Sequence, residues 1–349
     1  MATFPEYKDI YVFVEQKNGE PAEVGYELIN KARELVDGAP ELGYKVVGVL
    51  LGENVKDKAA DVIAHGADEV IVVDDPKLKD YNTQYYTDAL TQVINHFKPS
   101  SLLTGATVLG RDLAPRVAAR INAGLTADAT GIEIGKDVKL GTREIPNDDA
   151  LLLVTRPTFG GNLFGTIVCP NTRPQMATIR PKVFDMATPD ASRTGVVTEF
   201  APEWDGKEPL VVVEGVEAKP AAGVDITKCD VLVGAGRGAE GALDLVNELA
   251  ELLGGEVAGT RAAVEDGYLP KERQVGQTGK TVRPNLYIAC GISGAVQHVA
   301  GMEKSDYIIA INRDPEAEIF KIANQGYVGT VEQVLPVLIE EIKKIKAGN

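Results

Sequence analysis

The last third of the chain holds the residues whose types and spacing suit chemistry. Three apolar, β-rich runs end in glycine-rich or polar turns: GAGRG at 234–238, GISGAVQH at 291–298 and INRDP at 311–315. In a parallel sheet, strand C-terminal ends share one edge, and ligands bind along it. A fourth stretch, GTRAAVEDGYLPKERQVGQTGK (259–280), loses all helical and strand periodicity in its second half. It reads as a long ordered loop, the kind that usually carries function. A diphosphate asks for backbone N–H groups, a helix N-terminus and a few hydroxyl or cationic donors. Ser293 and Gly294, just ahead of a short helix predicted over 295–302, supply that setting. An isoalloxazine ring asks for donors near N5 and O4 and a cation near N1 and O2, where charge collects on reduction. Arg261, Gln277, Thr278 and His298 are the right types. GAGRG alone is weak, because it lacks the third glycine of a dinucleotide fingerprint. Each residue also has a plainer reading: Arg261 as the i,i+4 ion-pair partner of Glu265, His298 as a satisfied core histidine, Thr278 as a turn residue.

The elements that must position these groups follow from periodicity. β-Rich runs at 9–14, 45–51, 69–73 and 101–104 alternate with helical patterns at 23–37, 55–65 and 83–97, and a turn at 105 leads into helix to 120. Such alternation predicts βαβ units and a parallel sheet with helices on both faces. Gly105 and Gly110 would let amides approach a phosphate, but GATVLG is no full phosphate loop, and Leu113, Val117 and Ile121 ask only for packing. From 125 to 184 short extended or antiparallel strands are expected, with Arg156, Arg173 and Arg180 either on a ligand or partner face or simply paired. Residues 185–228 read as linker, with Trp204 a packed ring or a hinge. Strand–helix alternation then restarts: strands at 229–236, 286–294 and 306–314, helices at 239–253, 295–302 and near 316–324, and a helical tail containing Pro336. The fold class expected is α/β, two domains, each a mostly parallel sheet flanked by helices, over 1–205 and 206–349.

Composition narrows the function classes. The chain has 349 residues and a net charge of −15, from 51 acidic against 36 basic side chains. An acidic surface repels phosphate backbones, so nucleic acid is an unsuitable partner. No apolar run is long enough to span a membrane. The N-terminus lacks signal-peptide and transit-peptide patterns, which makes the cytoplasm the simplest compartment. Cys169, Cys229 and Cys290 are far apart with no CxxC, and His65, His96 and His298 show no ligand spacing, so no metal is expected. Cys229 and Cys290 read as small buried hydrophobes.

The segments GTRAAVEDGY, QVGQTGKTVRPNLYIACGISGAVQHVAGM and AINRDPEAEIF closely resemble electron transfer flavoprotein alpha subunits, and LGRDLAPRVAARINAGLTADAT is similar to the same family. The resemblance covers nearly the whole chain. It implies FAD in the second domain, flavodoxin- or Rossmann-like, and a beta subunit as heterodimer partner contacting the first domain. It implies a first domain like adenine-nucleotide hydrolases but without nucleotide. It further implies that Thr278 donates to flavin N5, Gln277 meets the pyrimidine edge, Arg261 lies over a ring face and His298 approaches O2. Arg237, Thr260, Ser293 and the amides of Gly294, Ala295, Val296 and Gln297 would hold ribityl and phosphate groups. Asn312 would contact the adenosine side, and Gln274, Val275 and Gly276 would shape the loop. Thr260 replaces a serine of relatives, and Thr330 stands where some carry an aspartate. The function implied is passage of single electrons to an acyl-CoA or butyryl-CoA dehydrogenase, either as a conventional carrier or in NADH-driven bifurcation with ferredoxin or flavodoxin. The chain by itself would transform no substrate. A nicotinamide-dependent enzyme is the alternative class, but no carboxylate–histidine pair stands near His298. A purely structural subunit would leave the 259–280 loop unexplained.

Overall fold

The computed structural model describes residues 4–135, 138–140, 143–145, 150–158, 163–206, 209–215 and 224–347. Contacts divide these into two compact units, 4–215 and 224–347.

The first unit is built on a seven-stranded sheet. Its strands are β1 (Lys8–Val14), β2 (Val46–Gly52), β3 (Glu69–Asp74), β4 (Pro99–Gly105), β5 (Leu125–Ala129), β9 (Gln175–Ile179) and β10 (Val196–Glu199), in the order β10-β3-β2-β1-β4-β9-β5. All pairings are parallel. The runs at the centre of β1, β2 and β3 are apolar because both faces are covered there. On β1, Ile10, Val12 and Val14 enter one core and Tyr11 and Phe13 the other. Helices α1 (Glu23–Asp37) and α2 (Ala59–Ala64) close the first face. Helices α3 (Thr83–Phe97) and α4 (Val108–Arg120) close the second. Leu113 and Val117 are fully buried and Ile121 packs beside them, the packing that their spacing asked for.

Two expectations change here. The 125–184 stretch is not uniformly antiparallel. β6 (Gly131–Gly135), β7 (Leu151–Thr158) and β8 (Leu163–Ile167) form an antiparallel sheet ordered β8-β7-β6, but β5 and β9 join the parallel sheet. The chain passes from β5 to β9 through this antiparallel sheet rather than through a helix, so no helical period marks their parallel pairing. The 185–228 stretch is not all linker either. β10 pairs with β3, and Trp204 packs edge-on to Tyr85 while its Nε1 donates to Asp75 at 2.9 Å. The arginines flagged there are structural in two cases. Arg180 is paired with Asp128 at 2.8 Å, and Arg173 is buried, donating to the Thr172 carbonyl at 2.9 Å and covering the Phe4 ring.

The glycines of 105–110 serve close packing. A Cβ at Gly110 would overlap the Gly105 carbonyl oxygen. Thr107 caps α4 by accepting from the Gly110 N–H at 3.0 Å, and its hydroxyl donates to Glu15. Burial pushes the Glu15 carboxyl up. An internal carboxyl thus sits at the helix end where a phosphate would bind.

The second unit has five parallel strands: β11 (Val231–Ala235), β12 (Glu256–Gly259), β13 (Leu286–Cys290), β14 (Tyr307–Asn312) and β15 (Gln325–Val328), in the order β12-β11-β13-β14-β15. Numbered within the unit this is 2-1-3-4-5, the doubly wound flavodoxin-like order, whose switch point falls between β11 and β13. Helices α5 (Leu243–Leu252) and α8 (Val331–Ala347, with Pro336 inside) cover one face with Val246, Leu249, Leu335 and Ile339. The 274–302 segments cover the other with Val275, Val282, Ile292 and Met302. The predicted helix over 295–302 contracts to α7 (Val296–Val299), and the one near 316–324 is a 3-10 turn at Glu318–Lys321. Cys290 is buried as expected, whereas Cys229 is half-exposed. No helix among the described residues is long and apolar enough to cross a membrane.

Candidate functional site

The ends of β11 and β13 meet main chain to main chain. The Gly236 N–H donates to the Cys290 carbonyl at 2.9 Å and the Gly238 N–H to the Gly291 carbonyl at 3.2 Å. A Cβ at Gly236 would overlap the Gly291 oxygen, and one at Gly291, held at φ 63°, would overlap Gly238. Glycine is therefore required on both sides of the switch point. Two clefts flank this contact. The first, about 520 Å³, is lined from β11 by Gly236 and Arg237 and from the β12 side by Thr260, Arg261, Ala262 and Glu265. Gln274, Val275, Gly276, Gln277 and Thr278 line it from the loop, and Gly291, Ile292, Ser293, Ala295, Gln297 and His298 from the end of β13. The second, about 490 Å³, shares Gly291 and Ser293 and continues past Gly238, Asn312, Asp314, Glu318, Gly329, Thr330 and Glu332. Most of the residues singled out by sequence are thus brought to one cleft, with Asn312 in its neighbour; Gly294 and Val296 line neither.

The loop is clasped onto α7. Gly276, at φ 139°, lies where a Cβ would come within 2.7 Å of the Gln297 carbonyl oxygen, which accepts the Gln277 N–H at 2.7 Å. Val275 N donates to Gly259 O at 2.9 Å, tying the loop to β12. Buried Gln274 donates through Nε2 to Thr278 Oγ1 at 3.0 Å. The Thr278 hydroxyl then accepts inside the protein and keeps its own proton to donate outward. Thr260 caps the short helix α6 (Arg261–Glu265), accepting from Ala263 N at 3.2 Å. The amides of Ser293 to Gln297 make no turn, loop or cap bond to another backbone group among the described residues. This row of orphan donors is the setting an anion needs.

His298 is buried, with both ring nitrogens engaged. Nδ1 lies 3.1 Å from the Val275 carbonyl and Nε2 3.1 Å from the Tyr287 hydroxyl. A carbonyl only accepts, so Nδ1 carries the proton, Nε2 accepts, and Tyr287 donates. Burial holds the imidazole down at about 4, and burial pushes the Tyr287 hydroxyl far up, so it stays a donor. His298 is therefore neutral near pH 7 and adds no cation to the cleft. Gly234 makes room for this arrangement, since a Cβ there would overlap the Tyr287 oxygen. Asn312 is largely committed too. Nδ2 donates to Ile292 O at 2.8 Å and Oδ1 accepts from Asp314 N at 2.9 Å, so its side chain braces two strand-end loops. The Arg261–Glu265 pair is formed, at 2.7 Å, as the plainer reading had it.

Tyr287 escaped the sequence reading, as did the close-packing roles of Gly234 and Gly236 within the GAGRG turn, Glu265 as a lining group and most of the second cleft. The glycines stood in quoted turns, and Glu265 was visible through its i,i+4 spacing. Tyr287 carried no signal, because a tyrosine inside an apolar strand run looks like core.

A flavodoxin-like sheet with a two-lobed cleft at its switch point, glycine-walled and edged by unspent amides, defines a nucleotide-cofactor protein of the doubly wound class. Comparison with known proteins is more specific. Residues 10–204 match the electron transfer flavoprotein domain, and residues 225–303 match the electron transfer flavoprotein FAD-binding domain. The chain is similar to the electron transfer flavoprotein subunit alpha of Thermoanaerobacterium thermosaccharolyticum, 46% identical over 98% of this chain and 99% of that one. It is 42% identical to the lactate dehydrogenase (NAD(+),ferredoxin) subunit LctC of Acetobacterium woodii, over 97% of this chain and 77% of that one. It is 40% identical to the acryloyl-CoA reductase electron transfer subunit beta of Anaerotignum propionicum, over 99% and 98%. The chain belongs to the electron transfer flavoprotein alpha-subunit family, and its cofactor is FAD.

Proposed function

We propose that this chain is the FAD-carrying subunit of a heterodimer with an electron transfer flavoprotein beta subunit, passing electrons singly toward an acyl-CoA-type dehydrogenase. The observation that carries this reading is the donor set of the first cleft: the outward-directed Thr278 hydroxyl, Gln277, and the Arg261 cation, with the nearest imidazole held neutral. FAD supplies the one- and two-electron chemistry. The chain's own residues bind, orient and tune. Thr278 and Gln277 donate to the ring's polar edge, and Arg261 offers positive charge to its face. The amides of Ser293 to Gln297, with Thr260 and Arg237, take the ribityl and diphosphate groups. The second cleft, braced by Asn312, takes the adenosine end.

Within this reading, NADH-driven bifurcation with ferredoxin or flavodoxin is favoured by the name of the A. woodii relative, which carries both NAD(+) and ferredoxin. The dehydrogenase partner is suggested by the A. propionicum relative, named as part of an acryloyl-CoA reductase. The test is co-purification with the beta subunit. A yellow complex that releases FAD on denaturation is expected. Two flavins per heterodimer, reduced by NADH with concomitant ferredoxin or flavodoxin reduction, would support bifurcation. One flavin and no NADH oxidation would leave a conventional carrier. A colourless complex that refuses added FAD would overturn the proposal.

A further inference from the structure

The wall of the first cleft formed by α6 carries two opposite charges one helical turn apart. Glu265 Oε1 accepts from Arg261 Nε at 2.7 Å, both side chains are mostly exposed, and both line the cleft. The arrangement is built locally. The Thr260 cap starts α6, and i,i+4 spacing puts both side chains on one face. The bond occupies only the Nε edge of the guanidinium. Among the described residues the two terminal amino groups of Arg261 make no other ion pair or hydrogen bond. A carboxylate gripping that edge therefore leaves the terminal fork free, and it brings a negative charge to the cleft that a reducible ring would share with Arg261.

We propose that Glu265 is a positioning and charge-setting residue of the flavin site: it holds Arg261 by its Nε edge and offsets part of the guanidinium's field, lowering the first-electron potential of FAD. The inference rests on the reading above that Arg261 faces the ring. Reduction adds negative charge to the flavin, so a nearby carboxylate disfavours it and a nearby guanidinium favours it. Solvent exposure screens both effects without changing their sign.

The test is spectroelectrochemical titration of the FAD-loaded heterodimer for the natural protein, Glu265→Gln and Arg261→Gln, with flavin content measured for each. Glutamine keeps an oxygen to accept from Nε but removes the charge. Glu265→Gln is expected to shift the oxidised-to-singly-reduced equilibrium toward reduction by roughly tenfold, about 59 mV for one electron, and the shift should shrink at high salt. Arg261→Gln is expected to move it the opposite way. An unchanged or lowered potential in Glu265→Gln, with Arg261→Gln lowered and flavin content intact, overturns this inference alone. An unmoved potential in Arg261→Gln overturns the placement of Arg261 on which it rests.

Discussion

The neutral, doubly bonded imidazole of His298 makes a prediction that can be worked through in numbers. Its ring is held at about 4 by burial, against an ordinary 6.5, because protonation would place a charge in the core. Between these values the unfolded chain binds a proton that the folded chain refuses. Stability contributed by this residue is thus fully present above pH 6.5, rises with pH across the window, and is lost as pH falls toward 4. At 1.36 kcal/mol per unit the full window is worth about 3 kcal/mol, and the step from pH 7 to pH 5 about 2 kcal/mol. The chain has three histidines, so ¹⁵N-histidine labelling of the flavin-loaded protein gives three ring systems to follow. His298 should show a protonated Nδ1 and an unprotonated Nε2 that do not titrate between pH 5.5 and 8. Denaturation at pH 7 and 5 should then show a smaller pH dependence for His298→Gln, which has no ring to protonate. Glu15 and Glu27, whose carboxyls burial pushes up, also shift stability with pH, but they lie in the first unit and cancel in this comparison. Trp204, the single tryptophan, lies in the first unit as well, so far-UV circular dichroism and FAD release are the suitable probes. A ring that titrates near 6.5, or an unaltered pH dependence in His298→Gln, would refute the reasoning.

Three substitutions extend the test. Gly294→Ala should destabilise the second unit by several kcal/mol, because its φ is 89° and a Cβ would overlap the backbone of Ile319, and the displaced 293–297 amides should weaken FAD binding; unchanged stability and flavin stoichiometry would count against this reasoning. Asn312→Ala should cost about 1–3 kcal/mol in denaturant titration, since it strands the Ile292 carbonyl and the Asp314 N–H, and FAD should dissociate faster. Gly110→Ala should destabilise the first unit by clashing with the Gly105 carbonyl, while leaving flavin content per folded complex unchanged.

How far the sequence could be read depended on whether a residue's neighbours were local. The βαβ rhythm was legible because runs such as 46–51 and 70–73 are buried on both faces and so carry apolar residues or glycine at every position. β5, β9 and β10 were not, because short strands take their identity from a partner distant in sequence, as Val196–Glu199 does from β3. β12 was hidden for the same reason, being four residues entering a glycine turn. At the site, residue types pointed to the right cleft, since donors and glycines cluster in the 274–298 segments. Their internal commitments were illegible. Nothing in VGQT shows that Gln274 turns Thr278 into an outward donor, and nothing in AVQH shows that His298 spends both nitrogens on Val275 and Tyr287. Such bonds join segments that only the folded sheet brings together.

The backbone-to-backbone seam where β11 and β13 end divides this half of the molecule into a frozen part and an editable one. Side chains cannot be installed along the seam without prising the sheet open, so variation there is closed to drift and to engineering alike. Retuning the flavin site is left to the exposed positions of the first cleft, such as Arg261, Glu265 and Gln277, whose side chains can change without disturbing the floor beneath them.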